Sequence, residues 1–365
     1  MTDPASFRAQ FPVLERCAYL NAGTEGPVPA RALDAAREQL DLQRRQPRCG
    51  RDYFTATLDL AASLRAGYAQ VLGCAPEHVA LTGSTTDGVN SVLAALDLRA
   101  GQEILTSDEE HPGLLAPLAR ARRTRGVVIR VVPFAQIADE VGHSTRLVAC
   151  SHVSWVSGQV VDTAALAACG APVLLDAAQA LGAVPAPVEE LGSDFYACSG
   201  QKWLCGPEGS GCLYVAPDRI EELEIPWPSY VSLADSHQPL ELKPAEGAPR
   251  FDLGFPSALR SAFALAALEV LREADWDWIY ERAATLAASL ADDLSNRGLH
   301  VLPRGRSTLV TFRTAGRDAQ EEVEQLAGEG FVVRSIPLDA GLIRVSVGAW
   351  SDEPELERLV ELVAR

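Results

Sequence analysis

The chain has 365 residues, 47% of them hydrophobic and 22% charged, which suits a globular enzyme with a sizeable core and excludes disordered or collagen-like classes. Its formal charge of −17 argues against a nucleic-acid-binding surface, and the arginines between residues 120 and 130 read as the solvated end of a helix. Eight cysteines stand singly with no C-x-x-C pair, so buried thiols are expected; no basic head leads an apolar core and no long apolar stretch occurs, so a cytoplasmic protein with no membrane span is expected.

In chain order, an amphipathic helix is expected over Asp3 to Leu14, then a strand from Cys17 that runs into the loop Asn21-Ala-Gly-Thr-Glu-Gly-Pro-Val-Pro29. Glycine and proline there either fix a turn or let backbone pass close to a ligand. Helical periodicity covers Ala30 to Gln46 and Phe54 to Leu72. The strand Val79 to Leu81 then meets a helix start at Thr82-Gly-Ser-Thr-Thr-Asp-Gly-Val-Asn90. Hydroxyls at such a junction either cap the helix or, with its free N–H groups, seat an anion; Thr85 and Thr86 are the candidates. Glu103 to Ser107 is a strand, His111 falls in the following loop, and a helix runs on to Arg125. Strands over Val127 to Val132 and Arg146 to Ser151 follow, the second opening onto His152-Val-Ser-Trp-Val-Ser-Gly-Gln159.

Two segments then dominate. Ala171 to Leu175 reads as a buried parallel strand ending in Asp176-Ala-Ala-Gln179, where a carboxylate must serve a ligand or be strongly paired. Ser199-Gly-Gln-Lys202-Trp203 sets a lysine among small residues and an indole, so the amine is expected to be partly desolvated and nucleophilic near neutral pH. Beyond the strand Leu213 to Val215, residues 225–249 form an irregular connection and Ala258 to Ala274 a long helix. A last strand carries Arg344, whose planar guanidinium suits a carboxylate; Arg334 is a second candidate.

Asp176 to Gln179 followed by Ser199 to Trp203 resembles the cofactor site of the class V aminotransferase and cysteine desulfurase superfamily. The loop from Tyr19 to Pro29 and the segment Trp155 to Gln159 are similar to its cystine C–S lyase and isopenicillin N epimerase branch. The resemblance implies pyridoxal 5′-phosphate (PLP) carried covalently by Lys202, with Asp176 paired to the pyridine nitrogen and His111 stacked on the ring. It also implies a phosphate held by Thr85, Thr86, Ser199 and Gln201, with Gln179 near the ring hydroxyl and Trp155 bordering the cofactor. Asn21 and Ala22 would meet the substrate and Arg344 its carboxylate. Residues 84 and 87 depart from the family pattern as Ser84 and Asp87. Phe255 stands where the family places a threonine that reaches the neighbouring subunit's phosphate, with Ser257 as a substitute.

The implied fold is α/β: fold type I, a mainly parallel doubly wound sheet in a large domain (15–250), with a smaller α/β domain from 1–14 and 251–365. A homodimer acting on a small amino acid is implied. The loop where desulfurases carry their acceptor cysteine, Arg334 to Ile343, contains none, so α,β-elimination of a cysteine-derived substrate is expected ahead of desulfuration. Transamination, epimerisation, desulfuration and a non-enzymatic role on the same fold are the alternatives.

Overall fold

The computed structural model describes residues 2–365. Its strands are β1 (Ala18–Tyr19), β2 (Val79–Thr82), β3 (Glu103–Ser107), β4 (Val128–Val132), β5 (Thr145–Ser151), β6 (Val173–Asp176), β7 (Phe195–Ser199) and β8 (Gly211–Val215), then β9 (His300–Val301), β10 (Leu309–Arg313), β11 (Phe331–Val332), β12 (Arg334–Ser335) and β13 (Leu342–Ser346). Strands β2 to β8 form one seven-stranded sheet in the order β2-β8-β7-β6-β5-β3-β4, in which only β8 runs against its neighbours. Strands β12-β13-β10-β9 form a separate antiparallel sheet, and β1 pairs in parallel with β11.

Alternation along the large sheet explains its two covered faces. Ile104, Leu147, Leu174 and Phe195 point into one apolar cluster, whereas Leu105, Val148, Leu175 and Tyr196 point into another. The first cluster is roofed by α4 (Thr85–Ala95) and α5 (Pro112–Arg125), and the second by α3 (Gly50–Leu72) with the helix Ala258–Ala274. Burying a side chain such as Ile104 contributes roughly 1.5–3 kcal/mol, and the buried carboxylate Asp176 stands at the end of its strand.

Several boundaries differ from expectation. The helix expected over Asp3 to Leu14 is cut into α1 (Pro4–Arg8) and a 3-10 turn at Pro12–Glu15, because Pro12 has no N–H to continue the ladder. Helix α2 (Ala30–Arg45) matches the periodicity, but α3 begins at Gly50, ahead of the expected Phe54. Buried thiols hold for Cys150, Cys198, Cys205 and Cys212; Cys49 is exposed and the other three are half-buried. Arg120, Arg122 and Arg123 lie on the outer end of α5, whereas Arg125 turns inward and donates to the carbonyls of Leu93, Ala94 and Leu96 at the end of α4.

Strand β1 takes the chain into the C-terminal part of the fold: Ala18 and Leu20 pack with Val310, Phe312, Ile343 and Val345. Asn21 then bridges Ser346, which brings the end of β13 against the Gly/Pro loop and beside the ends of the large sheet. None of the helices is long and apolar enough to cross a membrane, among the described residues.

Candidate active site

Strands β3, β5, β6 and β7 end in Ser107, Ser151, Asp176 and Ser199, so the carboxyl edge of the parallel sheet is polar where its body is apolar. A cavity of about 260 Å³ opens over that edge and gathers Lys202, Asp176, Gln179, Ser199 and Gln201 with Thr85, Thr86, His111, Trp155 and Arg344. Cavities of about 350 and 590 Å³ lie toward Phe255 and between α2 and α3, but neither contains a lysine or the strand-end carboxylate.

Asn21 and Ala22 do not line this cavity; Gly23, Thr24, Glu25 and Arg334 do. The reason is a tight turn in which the Asn21 carbonyl accepts from the N–H groups of Thr24 and Glu25. That turn leaves Asn21 on β13 and buries Ala22 in the core. A Cβ on Gly26 would stand 2.0 Å from the Lys202 carbonyl oxygen, so only glycine lets the loop lie against the lysine segment. Gly26 N–H donates to the Gln201 carbonyl at 2.8 Å and fixes that contact.

Asp176 is 5% exposed. It accepts the Ala178 N–H at 2.9 Å, and among the described residues no cationic side chain forms an ion pair with it. Burial therefore raises its pKa, against the Ala178 hydrogen bond and the Lys202 charge. Lys202 is lowered to about 8: desolvation is the main cause, Arg344 and Arg334 add to it, and Asp176 and Glu25 oppose it. A carboxylate without a contact partner and an amine poised near neutrality thus share one cavity.

At the opposite wall Arg344 is 0% exposed and also lacks a carboxylate partner, among the described residues. Its Nη1 donates to the Trp155 carbonyl at 2.9 Å, its Nη2 reaches Thr24 Oγ1 at 3.5 Å, and its Nε has no partner. Burial and the neighbouring Arg334 lower its pKa to about 9. Arg334 stands opposite it in the β12–β13 register and donates to the same Thr24 hydroxyl at 3.0 Å. Two guanidinium groups held this way concentrate positive charge at this wall, and the buried one has no counter-charge among the described residues.

His111 caps α5 by accepting the Gly113 N–H at 3.0 Å, and its ring meets Trp155 edge-to-face at 5.0 Å and 84°. Partial desolvation first, then the Lys202, Arg334 and Arg344 charges, bring it down to about 4, so the imidazole is neutral at neutral pH. Trp155 supports the other side of the cavity, with the Arg334 guanidinium 6.0 Å from its ring centre.

At the N-terminus of α4, the Ser84 hydroxyl caps the Asp87 N–H at 3.1 Å. Thr85 Oγ1 lies 2.7 Å from Ser199 Oγ. Gln201 Oε1 is buried without a partner. Gln179 is occupied at both ends of its amide: Nε2 donates to the Gly23 carbonyl at 2.7 Å, and Oε1 accepts from the Trp203 indole at 3.1 Å. It thereby joins the Gly/Pro loop to the lysine segment. Ser257 caps the helix Ala258–Ala274, and Phe255 packs on Phe54 at 5.6 Å, both away from this cavity.

One carboxylate was not anticipated. Glu110, in the loop that carries His111, is 2% exposed and bonds to Ser107 Oγ at 2.5 Å, Ser151 N–H at 2.9 Å and Ser151 Oγ at 2.6 Å. It ties the ends of β3 and β5 together, one residue ahead of His111. Burial raises it to about 7 despite those bonds, with a further push from Asp176. Because this folded pKa lies above the ordinary carboxyl value of 4.5, the contribution is fully present below about pH 4.5 and is lost as pH rises through about 7. Glu110→Gln is expected to flatten the fall of the melting temperature between pH 5 and 8, as measured by thermal unfolding at each pH.

The class-V aminotransferase family model matches residues 18–359. A probable cysteine desulfurase of Pseudomonas aeruginosa is 31% identical, with 98% of this chain and 97% of the relative covered. An isopenicillin N epimerase of Amycolatopsis lactamdurans is 29% identical over 98% of this chain and 97% of its own. Among solved structures, the cystine C–S lyase C-DES in complex with its reaction product cysteine persulfide has a TM-score of 0.91 at 28% identity, covering 97% of this chain and 99% of that one. A lysine-to-alanine variant of C-DES with glycine covalently linked to its PLP cofactor also gives 0.91 at 28% identity, covering 98% of each chain. With the match running from β1 to the last helix, over a sheet whose carboxyl edge bears the lysine and the carboxylate, the chain belongs to the aminotransferase class-V family.

Proposed function

We propose that the protein is a PLP-dependent lyase that cleaves the C–S bond of a cysteine-derived amino acid by α,β-elimination. One observation carries this reading: a desolvated lysine, an unpaired buried carboxylate and an unpaired buried arginine line one cavity, and no cysteine lines it, among the described residues.

The residues fit the cofactor. Asp176 lacks the cationic contact that a protonated pyridine nitrogen provides, and Gln201 Oε1 is an orphaned polar atom in the same wall. The Thr85 and Ser199 hydroxyls and the first N–H groups of α4 suit a phosphate, with Thr86 alongside. His111 offers a neutral flat ring. When bound, the cofactor supplies an electron sink conjugated with the substrate Cα.

The chain's own groups do the rest. Arg344 holds the α-carboxylate and so orients the Cα–H bond. Lys202 Nζ, poised near pH 8, takes the Cα proton, and Asp176 keeps a proton on the pyridine nitrogen. The β-sulfur then leaves with the electron pair of the C–S bond. Net, R–S–CH2–CH(NH3+)–COO− and water give R–SH, pyruvate and ammonium. A desulfurase needs a protein thiol to accept sulfur, and the stretch Arg334 to Ile343, where the resemblance puts it, offers none.

The test is product analysis with the cofactor-loaded protein and a panel of cysteine, cystine and S-conjugates. Pyruvate with ammonia is expected. Alanine with a protein-bound sulfur would point to desulfuration, and pyridoxamine phosphate to transamination. Arg344→Lys is expected to raise KM about 10- to 100-fold, with a smaller change in kcat, because an ammonium cannot grip the carboxylate in two places.

We further propose a homodimer in the cytoplasm. Exposed Phe54, Leu58 and Phe255 support an apolar contact face, and eight free thiols, including Cys198 and Cys212 paired across β7 and β8, support a reducing compartment.

A further inference from the structure

The cavity is divided by charge. Arg334 and Arg344 both reach Thr24 Oγ1 on one flank, whereas Gly26 N–H holds the lysine segment through the Gln201 carbonyl. Glu25 sits between those two anchor points and lines the cavity. Its carboxylate makes no hydrogen bond and no ion pair, among the described residues. The cavity's other carboxylate, Asp176, is taken by the pyridine nitrogen in the reading above, so Glu25 is the lining carboxylate left without an assigned cationic partner. Lys202 is the nearby cation, but its amine is committed to the reaction.

The geometry follows from the neighbours. A substrate with its α-carboxylate on Arg344 and its Cα at Lys202 Nζ shares the cavity with Thr24 and Glu25. With Asp176, Lys202 and Arg344 engaged, the charged lining groups left to meet the sulfur substituent are Glu25 and Arg334. A neutral alkyl group there leaves Glu25 uncompensated, and an acidic group meets repulsion. A substituent bearing an amino group pairs with it.

We propose that Glu25 is a specificity-determining residue that selects cysteine conjugates whose sulfur substituent carries an ammonium group, an inference that rests on the lyase reading above. Arg334, which reaches the hydroxyl of the adjacent Thr24, accommodates a carboxylate on the same substituent. The favoured substrates are thus conjugates whose far end is itself an amine or an amino acid.

The test compares S-(2-aminoethyl)cysteine with S-ethylcysteine, which differ by that amine. In the holoenzyme, kcat/KM is expected to favour the aminoethyl compound by about tenfold or more, and Glu25→Gln to bring the ratio close to one. Calorimetric Kd values for both compounds in the non-turning-over Lys202→Ala protein, with and without Glu25→Gln, are expected to show the same loss of preference. An equal loss for both compounds would make Glu25 a partner of Lys202 alone and overturn the proposal, as would a preference that survives Glu25→Gln. Absence of pyruvate from either compound would refute the lyase reading instead, and the Kd ratio would still decide the role of Glu25.

Discussion

Lys202→Ala is expected to abolish covalent attachment of PLP and to lower turnover by at least about 10³-fold, since in the proposed reaction one side chain serves as both attachment point and proton acceptor. The effect is not shared with another amine. The sequence has only two lysines, and Lys243 is exposed in the irregular connection, away from the cavity. Desolvation has brought Lys202 down to about 8, so about a tenth is unprotonated at pH 7, whereas an amine at the ordinary value of 10.5 would be almost wholly charged. The variant should fold, because removing a buried ammonium relieves a desolvation cost. Unchanged circular dichroism with lost turnover is the expected pair of results; turnover within tenfold of wild type would contradict the assignment.

Asp176→Asn is expected to lower turnover by roughly 10²- to 10³-fold and to weaken PLP binding, the range seen when a preorganised electrostatic partner is lost. The substitution is close to isosteric, and an amide oxygen still accepts the Ala178 N–H now held at 2.9 Å. What disappears is the negative charge that, in the proposed reaction, keeps a proton on the pyridine nitrogen. Because burial alone penalises this carboxylate in the unliganded protein, the variant without cofactor should be at least as stable as wild type. Loss of activity with retained or raised melting temperature separates an electrostatic role from a packing role; wild-type rates would assign the carboxylate to structure.

These two residues were the most legible in the sequence, and the physical reason is contrast. Asp176 closes an apolar run and Lys202 stands among small residues, so each violates its surroundings in a way that packing alone does not explain. The helix Ala258–Ala274 and the strand Glu103–Ser107 were equally plain, one from sustained periodicity and one from an apolar run between turns. Strand direction was not, because the side-chain alternation of β8 is the same whether it runs with or against β7. Glu110 was hidden for another reason: three acidic residues in a row look solvated, and only the convergence of Ser107 and Ser151 from β3 and β5 makes a buried carboxylate affordable.

The Gly/Pro loop taught a similar lesson. Its approach to the cavity was readable from glycine and proline, but which side chains face inward depends on the Asn21 carbonyl closing a turn onto Thr24 and Glu25. That turn moves the inward positions on from Asn21 and Ala22 to Gly23, Thr24 and Glu25. Arg344 could be named from the strand, whereas its pairing with Arg334 across β12 and β13, with both reaching Thr24, is a tertiary fact.

The most direct measurement reduces the PLP-loaded protein with borohydride, digests it and locates the phosphopyridoxyl mass by peptide mass spectrometry. The account predicts a single modified peptide, the one containing Lys202. Modification of the Lys243 peptide alone, or of neither, would contradict it.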